Sequence, residues 1–118
     1  MLIGELSRRT GVSSRLLRYY EAQGLLDAER GPNGYRDYTA DSVAAVRKVR
    51  ALLAAGLSTE VIRSVLPCVR GEGVREGVRF AWCEEIRSVL DGELAAMDAR
   101  IEGLRHNRDT LACYLHQA

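Results

Sequence analysis

Between Leu90 and Leu115 the chain places Leu90, Leu94, Met97, Ile101, Leu104, Arg108, Leu111 and Leu115 at alternating intervals of four and three. That is a heptad seam with acidic and basic residues between its members, and it predicts a long helix with one apolar stripe. A lone helix cannot bury such a stripe. The residues before it have apolar faces enough to satisfy one another, so the seam is expected to pair with the same helix of a second subunit. Arg108 interrupts the stripe, either fixing register or snorkelling to water.

The 118 residues suffice for one compact domain. Lys and Arg number 17 against 16 Asp and Glu, so bulk charge does not announce a nucleic-acid binder. Dividing the chain is more informative: residues 1–50 carry nine basic and six acidic side chains, a net +3, and residues 51–118 carry eight and ten, a net −2. A cationic first part lets one face approach phosphate. No secretory leader and no bilayer-length apolar run is legible, which predicts a cytoplasmic protein without membrane contact. Cys68, Cys83 and Cys113 are too few and too dispersed for a secreted disulfide framework, so they are expected to be free thiols.

Ile3 to Thr10 reads as a short helix stopped by Gly11, and Ser13 then caps a second helix running through Arg15, Leu16, Leu17, Arg18, Tyr19 and Tyr20. Two short helices joined by a tight glycine-bearing turn make a helix-turn-helix, whose second helix enters the major groove. From Gly24 to Tyr38, two extended pieces flank Gly31-Pro32-Asn33-Gly34, predicting a small hairpin or wing. Thr39 and Asp41 start a helix with Val43, Val46, Val49, Leu52 and Leu53 at helical spacing, Gly56 stops it, and Ser58 begins another that Pro67 ends. The expected organisation is a winged helix-turn-helix over residues 1–66, an irregular linker over 67–80 and a coiled-coil dimerisation helix over 81–118, a mainly α chain.

Arg15 and Arg18 on the second helix suit a guanine edge or a phosphate. Tyr19 can donate to phosphate, whereas Tyr20, directed differently, is expected in the core. Ser13 and Ser14 sit where backbone N–H groups and hydroxyls favour an anion, and Ser13 also caps. In the wing, Arg36 and Tyr38 alternate with Tyr35 and Asp37, so period-two geometry assigns both to one face and to backbone contacts that position the protein. The candidate DNA-binding set is therefore Ser13, Ser14, Arg15, Arg18, Tyr19, Arg36 and Tyr38.

Ile3-Gly4-Glu5-Leu6, Thr10-Gly11-Val12, Leu17-Arg18-Tyr19-Tyr20-Glu21, Gly24-Leu25-Leu26 and Asn33-Gly34-Tyr35-Arg36-Asp37-Tyr38, in that order and spacing, resemble the N-terminal domain of the mercury-resistance regulator (MerR) family over residues 1–66. The resemblance implies a homodimer with an antiparallel coiled coil and an inverted-repeat operator in an overlong promoter spacer. It also implies that DNA is bent and untwisted so that RNA polymerase engages the promoter when a signal is bound. The deformation costs on the order of 1–6 kcal/mol, which the coiled coil must be stiff enough to sustain.

Cys68, Cys83 and Cys113 are the candidate sensing positions. Cys83 and Cys113 lie about 45 Å apart along one helix, so they do not meet within a chain. In an antiparallel dimer Cys83 approaches the partner's helix end, resembling where metal-sensing relatives place ligands. Those relatives carry further cysteines in a loop after the helix that this sequence lacks, and His106 and His116 have no spacing that demands a metal site. Cys68 with Cys83 is an alternative redox pair, a small-molecule pocket beside Phe80 and Trp82 is another, and the commonest role for such cysteines is as small buried hydrophobes. Neither a metal nor another cofactor is assigned. An interaction module without DNA and an architectural DNA-bending protein without a signal are the competing classes. No nucleophile–base constellation or phosphate-cradling loop supports an enzyme.

Overall fold

The computed structural model describes residues 1–71 and 78–118, which fall into two units, Met1–Trp82 and Cys83–Ala118. In the first, α1 (Ile3–Thr10) ends where Gly11 takes φ +72°, and its N–H donates to the Ser7 carbonyl at 2.9 Å. The left-handed backbone is open to glycine at little cost, which makes the turn tight. Val12 is buried in that turn, and Ser13 caps α2 (Ser14–Ala22), its Oγ accepting from the Leu16 N–H at 3.2 Å. The helix-turn-helix follows from one glycine, one buried valine and one cap.

After α2, Leu25 and Leu26 are buried before the chain enters β1 (Glu29–Arg30), which pairs antiparallel with β2 (Arg36–Asp37). Tyr38 follows, and its N–H donates to the Met1 carbonyl at 2.8 Å, joining the foot of the wing to the start of α1. The next helix, α3 (Ala40–Ala54), starts where Ser42 Oγ accepts from the Thr39 N–H at 3.0 Å. Val43, Val46, Val49 and Leu52 are its buried face, while Leu53 is half-buried. Ser58 caps α4 (Thr59–Val65) through a 3.2 Å bond from the Val61 N–H, and Ile62 and Val65 are fully buried. Helix α1 packs on α2 and α3, and α3 on α4, around Leu6, Leu17, Tyr20, Val46 and Val49.

The described residues of the stretch expected to be an irregular linker include regular structure. Leu66–Cys68 forms a 3-10 turn, and β3 (Val69–Arg70) pairs antiparallel with β4 (Arg79–Phe80), with the Ala81 N–H donating to the Cys68 carbonyl at 2.8 Å. Strands of two residues have no periodicity to read, and burial of Val69 anchors them. Residues 72–77 of that expected linker, with Gly73 and Gly77, lie outside the described residues. Phe80 and Trp82 contact each other in a tilted arrangement, 5.1 Å between ring centroids and 39° between ring planes, and Trp82 stays exposed.

The second unit is α5 (Glu84–His116), 33 residues without a proline. Along it Leu94, Ile101, Leu104, Leu111 and Leu115 are all at least half exposed in the single chain. No helix among the described residues is long and apolar enough to cross a membrane.

Leu17 and Ile62 have no exposed surface, so Leu17→Ala and Ile62→Ala should each lower unfolding free energy by about 2–5 kcal/mol in urea denaturation. A loss below about 1 kcal/mol at both positions would contradict the core described.

Candidate DNA-binding surface

Helix α2 has nine residues, and burial of Leu17 and Tyr20 decides which of its edges faces water. Arg15, Arg18 and Tyr19, at i, i+3 and i+4, are exposed along one edge. Tyr19 and Tyr20 are adjacent in sequence yet 46% and 1% exposed, which places Tyr20 in the core as its direction predicted. Ser13 is exposed with its hydroxyl committed to the cap, and Ser14 is half-buried at the helix start.

The wing is unusual in what it lacks. Its register sets Arg30 opposite Arg36 and Glu29 opposite Asp37, two like-charged cross-strand pairs, and all four side chains are exposed. Like charges directly opposite one another destabilise a ladder, and an isolated two-stranded hairpin is marginal in water. Partners outside the ladder offset this. Arg30 donates to the Gly34 carbonyl at 2.8 Å, Asp37 accepts from the Met1 amine at 2.8 Å, and Arg36 Nε meets Glu21 Oε2 of α2 at 2.6 Å. The tip closes by the Gly34 N–H to the Gly31 carbonyl and the Gly31 N–H to the Tyr35 carbonyl, both 2.9 Å, with Gly34 at φ +77°. This is a three-residue hairpin loop with its left-handed residue last, and it leaves Tyr35 69% exposed.

Helix and wing meet in a cleft of about 230 Å³ lined by Leu2, Ile3, Arg18, Gly34, Tyr35 and Arg36. The structure thus brings Arg18 and Arg36 to one concavity, with Arg15 and Tyr19 on the helix beside it. Two guanidiniums in a shallow cleft are suited to an oxyanion such as a phosphodiester.

Tyr38 corrects the expectation of a shared wing face with Arg36. The strand β2 ends at Asp37, the period-two alternation ends with it, and the Tyr38 ring turns into the core at 1% exposure. Its hydroxyl, like that of Tyr20, is buried without a hydrogen-bond partner among the described residues. Burial raises the phenol above its ordinary value of 10.0, the Glu21 carboxylate adds to the rise, and Arg36 and Arg18 oppose it. Two residues missed by sequence reasoning are Glu21 and Tyr35. Only the strand register, with its like-charge oppositions, points to an off-strand partner for Arg36.

The cysteines also depart from the commonest expectation. None is buried in the single chain: Cys68 is half-buried, and Cys83 and Cys113 are exposed free thiols. Cys83 caps α5, its Sγ accepting from the Ile86 N–H at 3.5 Å. Among the described residues, no three His, Cys, Asp or Glu side chains converge on a metal-sized site.

A capped second helix with an arginine edge, a tight first turn and an arginine-bearing wing define a winged helix-turn-helix of the DNA-binding class. The chain belongs to the MerR family: the MerR HTH family regulatory protein model matches residues 1–67. The HTH-type transcriptional regulator HmrR of Rhizobium leguminosarum bv. viciae is 34% identical over 116 residues, 98% of this chain and 84% of that one. The HTH-type transcriptional regulator ZntR of Escherichia coli (strain K12) is 29% identical, covering 92% and 74%. In fold, the chain resembles the transcription regulator PbrR691 from Ralstonia metallidurans CH34, solved in complex with lead(II). The TM-score is 0.76 at 23% identity, over 94% of this chain and 82% of that one. It also resembles HiNmlR, a family regulator lacking the sensor domain and bound to promoter DNA, with TM-score 0.57 at 23% identity over 97% and 86%. The chain is thus a transcription regulator by family, and its relatives are regulators rather than enzymes.

With the folded phenol raised, the unfolded chain loses the Tyr38 proton first, so this contribution to stability is intact below pH 10 and is lost as pH rises beyond it. Tyr38→Phe should flatten the alkaline fall in thermal stability and should not lower stability at pH 7, because the deleted hydroxyl is unpaired. A melting temperature at pH 7 several degrees below the parent's would show that the hydroxyl has a partner.

Proposed function

We propose that the chain is a dimeric, sequence-specific transcription regulator that binds an inverted repeat within a promoter spacer and acts by distorting that DNA. The observation that carries this reading is the convergence of Arg18 on α2 and Arg36 on the wing at one cleft, beside Arg15 and Tyr19. In this reading Arg15 and Arg18 reach base edges or phosphate, Tyr19 and the amino end of α2 at Ser13 and Ser14 meet phosphate, and Arg36 positions the wing on the backbone. Tyr38 serves as the buried anchor of the wing. The promoter-bound state of HiNmlR supports double-stranded promoter DNA as the partner.

The uncovered seam on α5 supports dimerisation. Burying a leucine is worth about 1.5–3 kcal/mol, and Leu94, Ile101, Leu104, Leu111 and Leu115 are offered by each chain to an antiparallel partner. Two modules tied through paired helices impose a fixed separation on the half-sites, and holding a bend against the DNA's stiffness brings the promoter into line for RNA polymerase.

The signal is read as small and thiol-directed. A third relative, heavy metal-dependent transcription regulator 2 of Rhizobium meliloti (strain 1021), is 35% identical over 107 residues, 90% of this chain and 73% of that one, and its name points to a metal signal. Here the exposed thiols of Cys83 and Cys113 are the accessible targets. The described residues of one chain do not assemble a metal site.

Titrating a selected operator duplex at several salt concentrations tests the DNA reading. Arg18→Ala should weaken binding about tenfold or more, consistent with a lost bidentate contact. Leu104→Asp should yield a monomer by sedimentation and abolish binding to the paired half-sites while leaving the first unit folded. Parent-like affinity in Arg18→Ala, or a Leu104→Asp dimer, would contradict the respective half of the proposal.

A further inference from the structure

We infer that Glu21 is a positioning residue for DNA binding: through its ion pair it holds the inner edge of the Arg36 guanidinium, so that α2 and the wing meet the phosphate backbone as one preset surface. This rests on the DNA-binding reading of Arg36 given above.

Three observations carry it. The pair runs through Arg36 Nε to Glu21 Oε2 at 2.6 Å, so the carboxylate engages the inner nitrogen of the fork. The two terminal nitrogens carry the other four N–H donors, which is the edge that matches an oxyanion. Glu21 is the better shielded partner, its side chain 21% exposed against 44% for Arg36, so the carboxylate is the fixed post and the guanidinium the presented group. Finally, Arg36 stands opposite Arg30 in the ladder, a pairing that pushes the two guanidiniums apart, and the wing strands bury no side chain of their own. Without Glu21, nothing in the ladder favours the Arg36 conformation that lines the cleft with Arg18.

A carboxylate on a DNA-facing surface also repels phosphate, and the two effects have opposite signs. Arg36 keeps its charge in the pair, and the carboxylate approaches from the helix side with most of its surface covered. Fixing a long side chain before binding removes an ordering cost that a free arginine meets on association. The positioning effect therefore prevails, and loss of Glu21 weakens binding.

The test is a double-mutant cycle on the full chain with one selected operator duplex, measured by fluorescence anisotropy across salt concentrations. Thermal melts of every variant score folding. Arg36→Ala should weaken binding and flatten the log–log salt slope by about 0.9 per half-site. Glu21→Ala should weaken binding by about 2- to 10-fold per half-site, and Glu21→Gln, which keeps an acceptor for Nε–H, by less. Glu21→Ala combined with Arg36→Ala should bind like Arg36→Ala alone. If Arg36→Ala weakens binding but Glu21→Ala tightens it, or its loss adds in full to that of Arg36→Ala, the positioning role is overturned while the wing contact stands. If Arg36→Ala binds like the parent with its salt slope unchanged, the wing contact itself fails and the role of Glu21 falls with it.

Discussion

Helix α2 is nine residues long, well below the length at which an isolated helix persists in water, so its existence and its rotation both come from packing. Leu17 and Tyr20 set that rotation by entering the core made by α1 and α3, and everything on the opposite edge follows. Arg15, Arg18 and Tyr19 face outward because two neighbours face inward. Gly11 and Ser13 act earlier in the same chain of causes, fixing where the helix starts and how sharply the backbone turns into it. The wing depends on the same core from its other end, since Leu25 and Leu26 precede it and Tyr38 closes it, all three buried.

The hairpin between those anchors is electrostatically self-opposed. Arg30 against Arg36 and Glu29 against Asp37 leave each strand seeking partners elsewhere, and Glu21 supplies one from α2. A surface ion pair of this kind contributes little to stability, about 0–1 kcal/mol, and its consequence lies in orientation. It joins the helix to the wing at the point where Arg18 and Arg36 share a cleft. The second unit presents a different constraint: a 33-residue helix on which Leu94, Ile101, Leu104, Leu111 and Leu115 are at least half exposed, a stripe that the proposed reading covers with a second copy.

Much of this was legible from residue spacing. Gly11 with Ser13 located the helix-turn-helix, Gly31-Pro32-Asn33-Gly34 located the wing, Val43, Val46, Val49 and Leu52 located the face of α3, and the 4-3 spacing from Leu90 located α5. What escaped was set by contacts between elements rather than by period. Tyr38 read as wing surface because alternation was carried one residue past the end of β2. The Glu21–Arg36 pair spans fifteen residues and two elements, and no local pattern announces it. The ladder of β3 with β4 consists of two-residue strands, too short for any alternation, and the cap role of Cys83 appears only once α5 has its start at Glu84.

Selection of bound duplexes from a random pool by the purified protein under reducing conditions addresses the central claim most directly. The enriched sequences should be inverted repeats with one fixed half-site separation, as two arginine-bearing modules held by a paired α5 require. Enrichment of single unpaired half-sites, or no enrichment at all, would contradict the account of a dimeric, sequence-specific regulator.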